Sequence, residues 1–394
     1  GSMQPTEKFD AFSVAVQDPY DGSDAATRTQ TDGAVTVTQG KLECLALSSV
    51  DFDGAAEYIT AADAAGLSFG DASVQTKFSL SAWVRMDDAT NFPIISKGIY
   101  NTSAEWGLVV SSADKLEFIV YDEDVDNCFQ GRRYDTAITS YQDEWIHVVA
   151  TSGVTTESGT GVRDLMKLYI NGVRVDDDNL GTNAGSYDAM VAGSADVLIG
   201  RYDNDYADGE VRDVRIYDYD LSADQVSSLY SGSYNVTPLY WWKLDEGYTT
   251  EAGVDAAGAF EDYGTGTDAD GTGTNLDASS CVNGTLDLDS TLTIAANGTL
   301  SAPRGNLDLE ANLDINCTTV ADQWIHNNGK VRYVAGAGAT WTPNNATFNN
   351  IDLATSSGHD LNLNENITIL GTLDLTGSTD YWIVNASGAT AVVT

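Results

Sequence analysis

Phe78-Ser79-Leu80-Ser81-Ala82-Trp83-Val84 alternates strictly, with Phe78, Leu80, Ala82 and Val84 on one side and Ser79, Ser81 and Trp83 on the other. A period of two is a β-strand with one face turned to a core. The same texture recurs on both sides of this stretch. Trp106-Gly107-Leu108-Val109-Val110, Leu116-Glu117-Phe118-Ile119-Val120, Trp145-Ile146-His147-Val148-Val149, Met166-Lys167-Leu168-Tyr169-Ile170, Val197-Leu198-Ile199 and Val211-Arg212-Asp213-Val214-Arg215-Ile216 are short runs at sandwich spacing. Asn171-Gly172 between two such runs predicts a type I′ hairpin. The one helix expected is a turn or two at 222–229, with Ser222 as N-cap, Asp224 in the first turn and Val226, Leu229 and Tyr230 on one face.

Farther out the texture changes. Residues 1–40 hold few large apolar side chains and read as an N-terminal arm, with one strand candidate at Ala34-Val35-Thr36-Val37-Thr38. Residues 41–237 are the sandwich. Residues 238–280, rich in Gly, Asp and Thr, read as a linker. From 281, Leu286-Asp287-Leu288 returns as Leu307-Asp308-Leu309 and Leu373-Asp374-Leu375, with near-equivalents at Leu313-Asp314-Ile315, Ile351-Asp352-Leu353, Leu361-Asn362-Leu363 and Ile367-Thr368-Ile369. A three-residue strand buries no face alone, but stacked as rungs of a parallel β-helix it does. Residues 281–394 are therefore expected to be β-solenoid-like, the alternative being a second sandwich. The fold class is all-β.

Composition narrows the partners. In 394 residues, 19 Lys and Arg face 59 Asp and Glu, for a formal charge of −40. Such a chain repels nucleic-acid phosphate and anionic lipid. Asp supplies 45 of the 59 acids, which favours turns over helices. No apolar run is long enough to span a bilayer. Four cysteines, with no CxxC, do not make a disulfide scaffold or a zinc site.

In order along the chain, Val50-Asp51-Phe52-Asp53-Gly54, Phe78-Ser79-Leu80-Ser81-Ala82-Trp83-Val84, Ile94-Ile95-Ser96-Lys97-Gly98, Glu144-Trp145-Ile146-His147-Val148-Val149-Ala150, Leu168-Tyr169-Ile170-Asn171-Gly172, Ile199-Gly200-Arg201 and the segment 209–217 resemble the laminin-G-like, concanavalin A-like jelly-roll family. The resemblance covers just under half the chain. It implies a jelly roll that recognises carbohydrate and holds a structural Ca²⁺ between its opening and closing strands, through Asp53 and an acid of 209–217. Arg212 stands where the family has that acid, and Asp213 lies one place on. Two further Asp-rich segments are calcium candidates, since Ca²⁺ takes six to eight oxygens: Asp122, Asp124 and Asp126, and Asp203, Asp205 and Asp208. The 281–394 segment is similar in texture to solenoid repeats of phage structural proteins and bacterial adhesins.

Sugars stack on aromatic faces and hydrogen-bond to polar side chains at loops. Trp106, Tyr121, Phe129, Arg132, Arg133, Tyr134, Tyr202 and Tyr206 fall in or beside expected loops and are the ligand candidates. No nucleophile elbow, Cys/His pair or Glu-x-Asp-x-x-Glu carboxylate pattern is present, so an enzyme is not expected. The sequence thus points to a non-enzymatic, extracellular or virion-surface protein. Its partner would be a cell-surface glycan or another surface protein, with homo-oligomerisation open. The alternatives are a bacterial adhesin or a purely structural module.

Overall fold

The computed structural model describes residues 28–31, 34–44, 48–100, 102–125, 128–231, 236–248, 251–334, 338–353, 361–375, 383–385 and 391–393. The chain forms two compact units: residues 49–281, and residues 1–48 together with 282–394.

The unit 49–281 is an antiparallel two-sheet sandwich. In one sheet the order is Val173–Arg174, Met166–Ile170, Trp145–Ser152, Phe78–Asp88, Asp208–Tyr217, Ser49–Asp53. The other runs Asp178–Thr182, Cys128–Arg133, Leu116–Asp122, Trp106–Val110, Phe92–Lys97, Val197–Ile199, Tyr58–Ala61, Gly271–Thr274. Phe78, Leu80, Ala82 and Val84 meet Trp106, Leu108, Phe118 and Val120 between the sheets. The alternation of the 78–84 strand thus becomes burial, at ~1.5–3 kcal/mol for each large side chain. Asn171 and Gly172 have φ +50° and +78°, as the type I′ turn requires. The helix is Ala223–Tyr230. Ser222 Oγ accepts from Gln225 N while Gln225 Oε1 accepts from Ser222 N, a reciprocal cap. Val226 and Leu229 pack on Val149, Tyr169 and Tyr217, covering the outer side of the first sheet.

Residues 238–280 are not a linker. Tyr240–Trp242 pairs with the second half of Asp208–Tyr217, whose first half pairs with Ser49–Asp53. The bulge at Asp213 (φ +53°) separates the two halves. Trp242, Tyr240 and Phe260 are fully buried in the sandwich core. Gly271–Thr274 is an edge strand on Tyr58–Ala61. A Cβ on Gly271 would meet Ile59 Cγ2 at 2.7 Å, so glycine is what lets this strand lie close.

The second unit is a parallel β-solenoid, with about four C-terminal turns. Leu286-Asp287-Leu288 lies in exact register on Leu307-Asp308-Leu309, followed by Val331-Arg332-Tyr333, Ile351-Asp352-Leu353 and Leu373-Asp374. The aliphatic members stack inward as one core. Asparagine makes corners: Asn327, Asn328, Asn344 and Asn345 all have positive φ, a region its short polar side chain tolerates. Residues 28–31 and 34–40 of the segment expected as an arm are part of this unit, and the rest of that segment lies outside the described residues. Arg28–Thr31 pairs in parallel with Thr285–Leu288, and Val35–Glu43 with Leu292–Ser301, while Val35 and Val37 join the core. No helix among the described residues is long and apolar enough to cross a membrane.

Candidate functional site: a groove on the outer face of the second sheet

Strand parity decides what the second sheet shows outward. Along Leu116–Asp122, Leu116, Phe118 and Val120 enter the core, so Glu117, Ile119 and Tyr121 face out. Val109 and Phe129 face out from the neighbouring strands. Outward does not mean exposed here. Ala104, Val109, Ile119 and Tyr121 form a second buried cluster, with Tyr100, Phe129, Leu180 and Tyr202 packed against it.

Its cover is the hairpin Arg201–Tyr202, Asp205–Tyr206. Asp203 turns the chain at φ +55° and accepts a hydrogen bond from Tyr100 N at 3.2 Å. Ser96 Oγ donates to Arg201 O at 2.9 Å. One face of the hairpin holds Arg201 against the rings of Tyr58 and Tyr206, at 4.7 and 5.5 Å from their centroids. The other face puts the Tyr202 hydroxyl 2.5 Å from that of Tyr121. Beside it opens a cavity of about 180 Å³. Val109, Ile119 and Pro93 line it with apolar surface, and Asn91, Ser111 and Ser112 with polar groups. Glu117, Tyr202 and Asp205 complete the wall. Burial pushes the carboxyls of Glu117 and Asp205 above the usual range, and Asp203 adds to the effect at Asp205.

The expected ligand residues divide. Tyr202 lines the groove, and Tyr121 and Phe129 lie in the cluster beneath the hairpin. Tyr206 stacks on Arg201. Trp106 is not a ligand residue: it is fully buried in a strand, beside the stacked rings of Phe69 and Phe78, and its Nε1 donates to Leu67 O at 3.0 Å. It is a core residue with no face free to stack on a sugar. Tyr134 is half-buried against the same core. Arg132 and Arg133 are adjacent in a strand and so point to opposite faces. Arg132 Nη2 lies 2.7 Å from Asp176 Oδ2, and Arg133 Nη2 lies 2.5 Å from Asp178 Oδ2. Glu117, Ile119 and Asn91 went unnoticed in the sequence, although the parity of 116–120 already sets Glu117 and Ile119 beside Tyr121.

The calcium candidates divide too. Asp208 leaves the Asp203–Asp205 hairpin and stands opposite Asp53 on one side and Asp88 on the other. Burial, then Asp87, Asp88 and Asp53, raise its carboxyl. Asp53 Oδ1 accepts from Ala55 N and Ala56 N within its own turn. Asp122 is buried and accepts from Asp124 N and Asp188 N, while Asp124 is exposed. Asp126 lies outside the described residues. Asp213 accepts from Arg215 Nε at 2.9 Å and from Trp241 Nε1 at 2.5 Å. Among the described residues, no three His, Cys, Asp or Glu side chains converge as a metal-ligating group.

The two-sheet antiparallel sandwich contains a concanavalin A-like domain. Residues 53–227 match the family described as the concanavalin A-like lectin/glucanases superfamily. Solved structures of similar fold include a candidate carbohydrate-binding protein from Bacteroides ovatus, at 19% identity and TM-score 0.39, covering 58% of this chain and 58% of that one. A heptameric pentraxin from Limulus polyphemus matches at 16% identity and TM-score 0.32, over 46% of this chain and 81% of its own. Domain 4 of an extracellular arabinanase from Geobacillus stearothermophilus, in complex with arabinotriose, matches at 20% identity and TM-score 0.30, over 46% and 87%. These likenesses are of fold. Comparison with the curated proteins gives no match.

Proposed function

We propose that the protein is a non-catalytic carbohydrate-binding module, the concanavalin A-like domain, carried by a solenoid-containing surface protein. The observation that carries the reading is the groove. An apolar floor of Val109 and Ile119, one aromatic wall at Tyr202 and hydrogen-bonding groups at Asn91, Ser111, Glu117 and Asp205 are the ingredients of a sugar site. The family description of residues 53–227, which names lectins and glucanases, supports the carbohydrate part of this reading. Saturation-transfer NMR against a panel of mono- and oligosaccharides tests it. Binding that weakens by roughly tenfold in Tyr202→Ala, with the fold intact by circular dichroism, is the expected result. No binding to any sugar would overturn it.

The partner is a cell-surface glycan, and the setting a virion surface, with a bacterial adhesin as the rival. The charge of −40 keeps such a surface solvated. The Asn-, Thr- and Gly-rich rungs suit a scaffold of either kind. Antibody labelling of purified particles against cell envelopes separates the two.

Calcium belongs to the same proposal. Asp53 and Asp208, opposite on adjacent strands, are the pair that would hold it, with backbone carbonyls completing the shell. Like charges directly opposite cost stability, which a cation would relieve. Melting should rise with CaCl₂ and fall with EDTA, and Asp208→Asn should abolish the difference. An unchanged melting point would end the idea.

A further inference from the structure

We infer that the groove is a charge filter, built to accept neutral sugars and to reject those carrying a carboxylate or sulfate. The inference rests on the carbohydrate reading of the groove and adds its ligand class. The two charged side chains on its wall are both acids, Glu117 and Asp205, and no Lys or Arg lines it. The bases nearby are already engaged. Arg133 approaches Glu117, Asp135 and Asp178 at 4.0, 3.5 and 2.5 Å. Lys115 holds Asp135 at 2.6 Å. Arg201 is turned to the far side of the hairpin, against Tyr58 and Tyr206.

Burial sharpens the filter. Glu117 is largely covered by the sheet and hairpin, so its charge is poorly screened by water. An incoming carboxylate would lose its own hydration and gain no cation in return, while its neutral counterpart would offer hydroxyls to the same acceptors. The size agrees with a single ring entering end-on: about 180 Å³ lies below the ~300 Å³ at which ordinary ligand clefts begin.

The test uses pairs of ligands that differ only at C6, hydroxymethyl against carboxylate: methyl glucoside with methyl glucuronide, and methyl galactoside with methyl galacturonide. Both members of each pair are titrated into the full chain by ligand-observed NMR at neutral pH and moderate salt. The neutral member of at least one pair should bind roughly tenfold or more tightly than its uronate. In the double variant Glu117→Gln/Asp205→Asn, that ratio should fall towards one, whatever happens to the absolute affinities. A uronate that binds as tightly as its neutral partner, or a ratio untouched by the double variant, would overturn the inference while leaving sugar binding standing. Failure of both members of every pair would bring down the carbohydrate reading and the filter together.

Discussion

Lys97 Nζ lies 3.1 Å from Glu105 Oε1, and neither side chain reaches solvent. Asp63 Oδ1 at 2.7 Å and Ala195 O at 2.5 Å take the other protons of the ammonium. Gly193 N and Ser68 Oγ donate to the Glu105 carboxylate. The pair thus ties two neighbouring strand ends to two loops. Removing one partner strands a buried charge, so Lys97→Met should cost ~3–5 kcal/mol in urea unfolding. Lys97→Met/Glu105→Leu should recover part of that loss. An additive double variant would show that the two groups do not act on each other.

His147 is buried against Trp83 and Tyr230, with ring centroids at 5.1 and 6.3 Å. Burial pushes its imidazole down to about 3 from 6.5. A group held neutral in this way contributes stability that is complete above pH 6.5 and is lost as pH falls towards 3. His147→Phe keeps the stacking and removes the titration. Its melting point should fall less between pH 7 and pH 5 than that of the native chain. Equal slopes would refute this account.

Asp51 works in the opposite direction. Burial first, then Glu210 and Asp87, raise its carboxyl to about 7 from 3.8, against the pull of Arg85. The proton bound in the folded state stabilises below pH 3.8, and this contribution is lost as pH rises through 7. Asp51→Asn, measured with chelator present, should therefore raise the melting point at pH 8 and raise it clearly less at pH 5. The backbone bond from Asp51 N to Ser280 O is untouched by the change.

Arg332 interrupts a column of acids in the solenoid. Successive rungs place Asp287, Asp308, Arg332, Asp352 and Asp374 in register. Arg332 Nη1 reaches Asp308 Oδ2 at 2.9 Å, and its Nε lies 3.5 Å from Asp352 Oδ2. Arg332→Met should destabilise the solenoid by ~1.5–3 kcal/mol, the worth of a charge-assisted bond. Adding Asp308→Asn should restore part of this. Proteolysis of the solenoid segment, followed against denaturant, reads the effect.

Where a strand carries its own alternation, its role was legible. The 78–84 stretch shows which side faces the core, and the Leu-Asp-Leu repeats mark rungs that pair residue for residue. Two errors have separate causes. Gly271–Thr274 has no large side chains because the strand lies too close to Ile59 to admit them, so the hydrophobic signal of a strand is missing. Val35–Glu43 does alternate at its start, but its partner is Leu292–Ser301, and pairing at such distance leaves no local trace. The groove was only half visible. Tyr202 stood out as a loop aromatic, whereas Glu117 sits in an apolar strand and becomes a wall only once the hairpin folds over it. Trp106 was misplaced because a strand end and a loop look alike from sequence.

The register of Val35 on Leu292 has a consequence for synthesis. The two positions are 257 apart, from 292 less 35. On a ribosome the strand Val35–Glu43 emerges before the jelly roll and must wait, without its partner Leu292–Ser301, while the jelly roll is made. The jelly roll is thus a cassette spliced into the solenoid's thread, and its own two ends are joined by the Asp51–Ser280 bond at 2.7 Å. A cassette whose ends meet can be exchanged for a short turn, or for another binding module, without unstringing the rungs on either side.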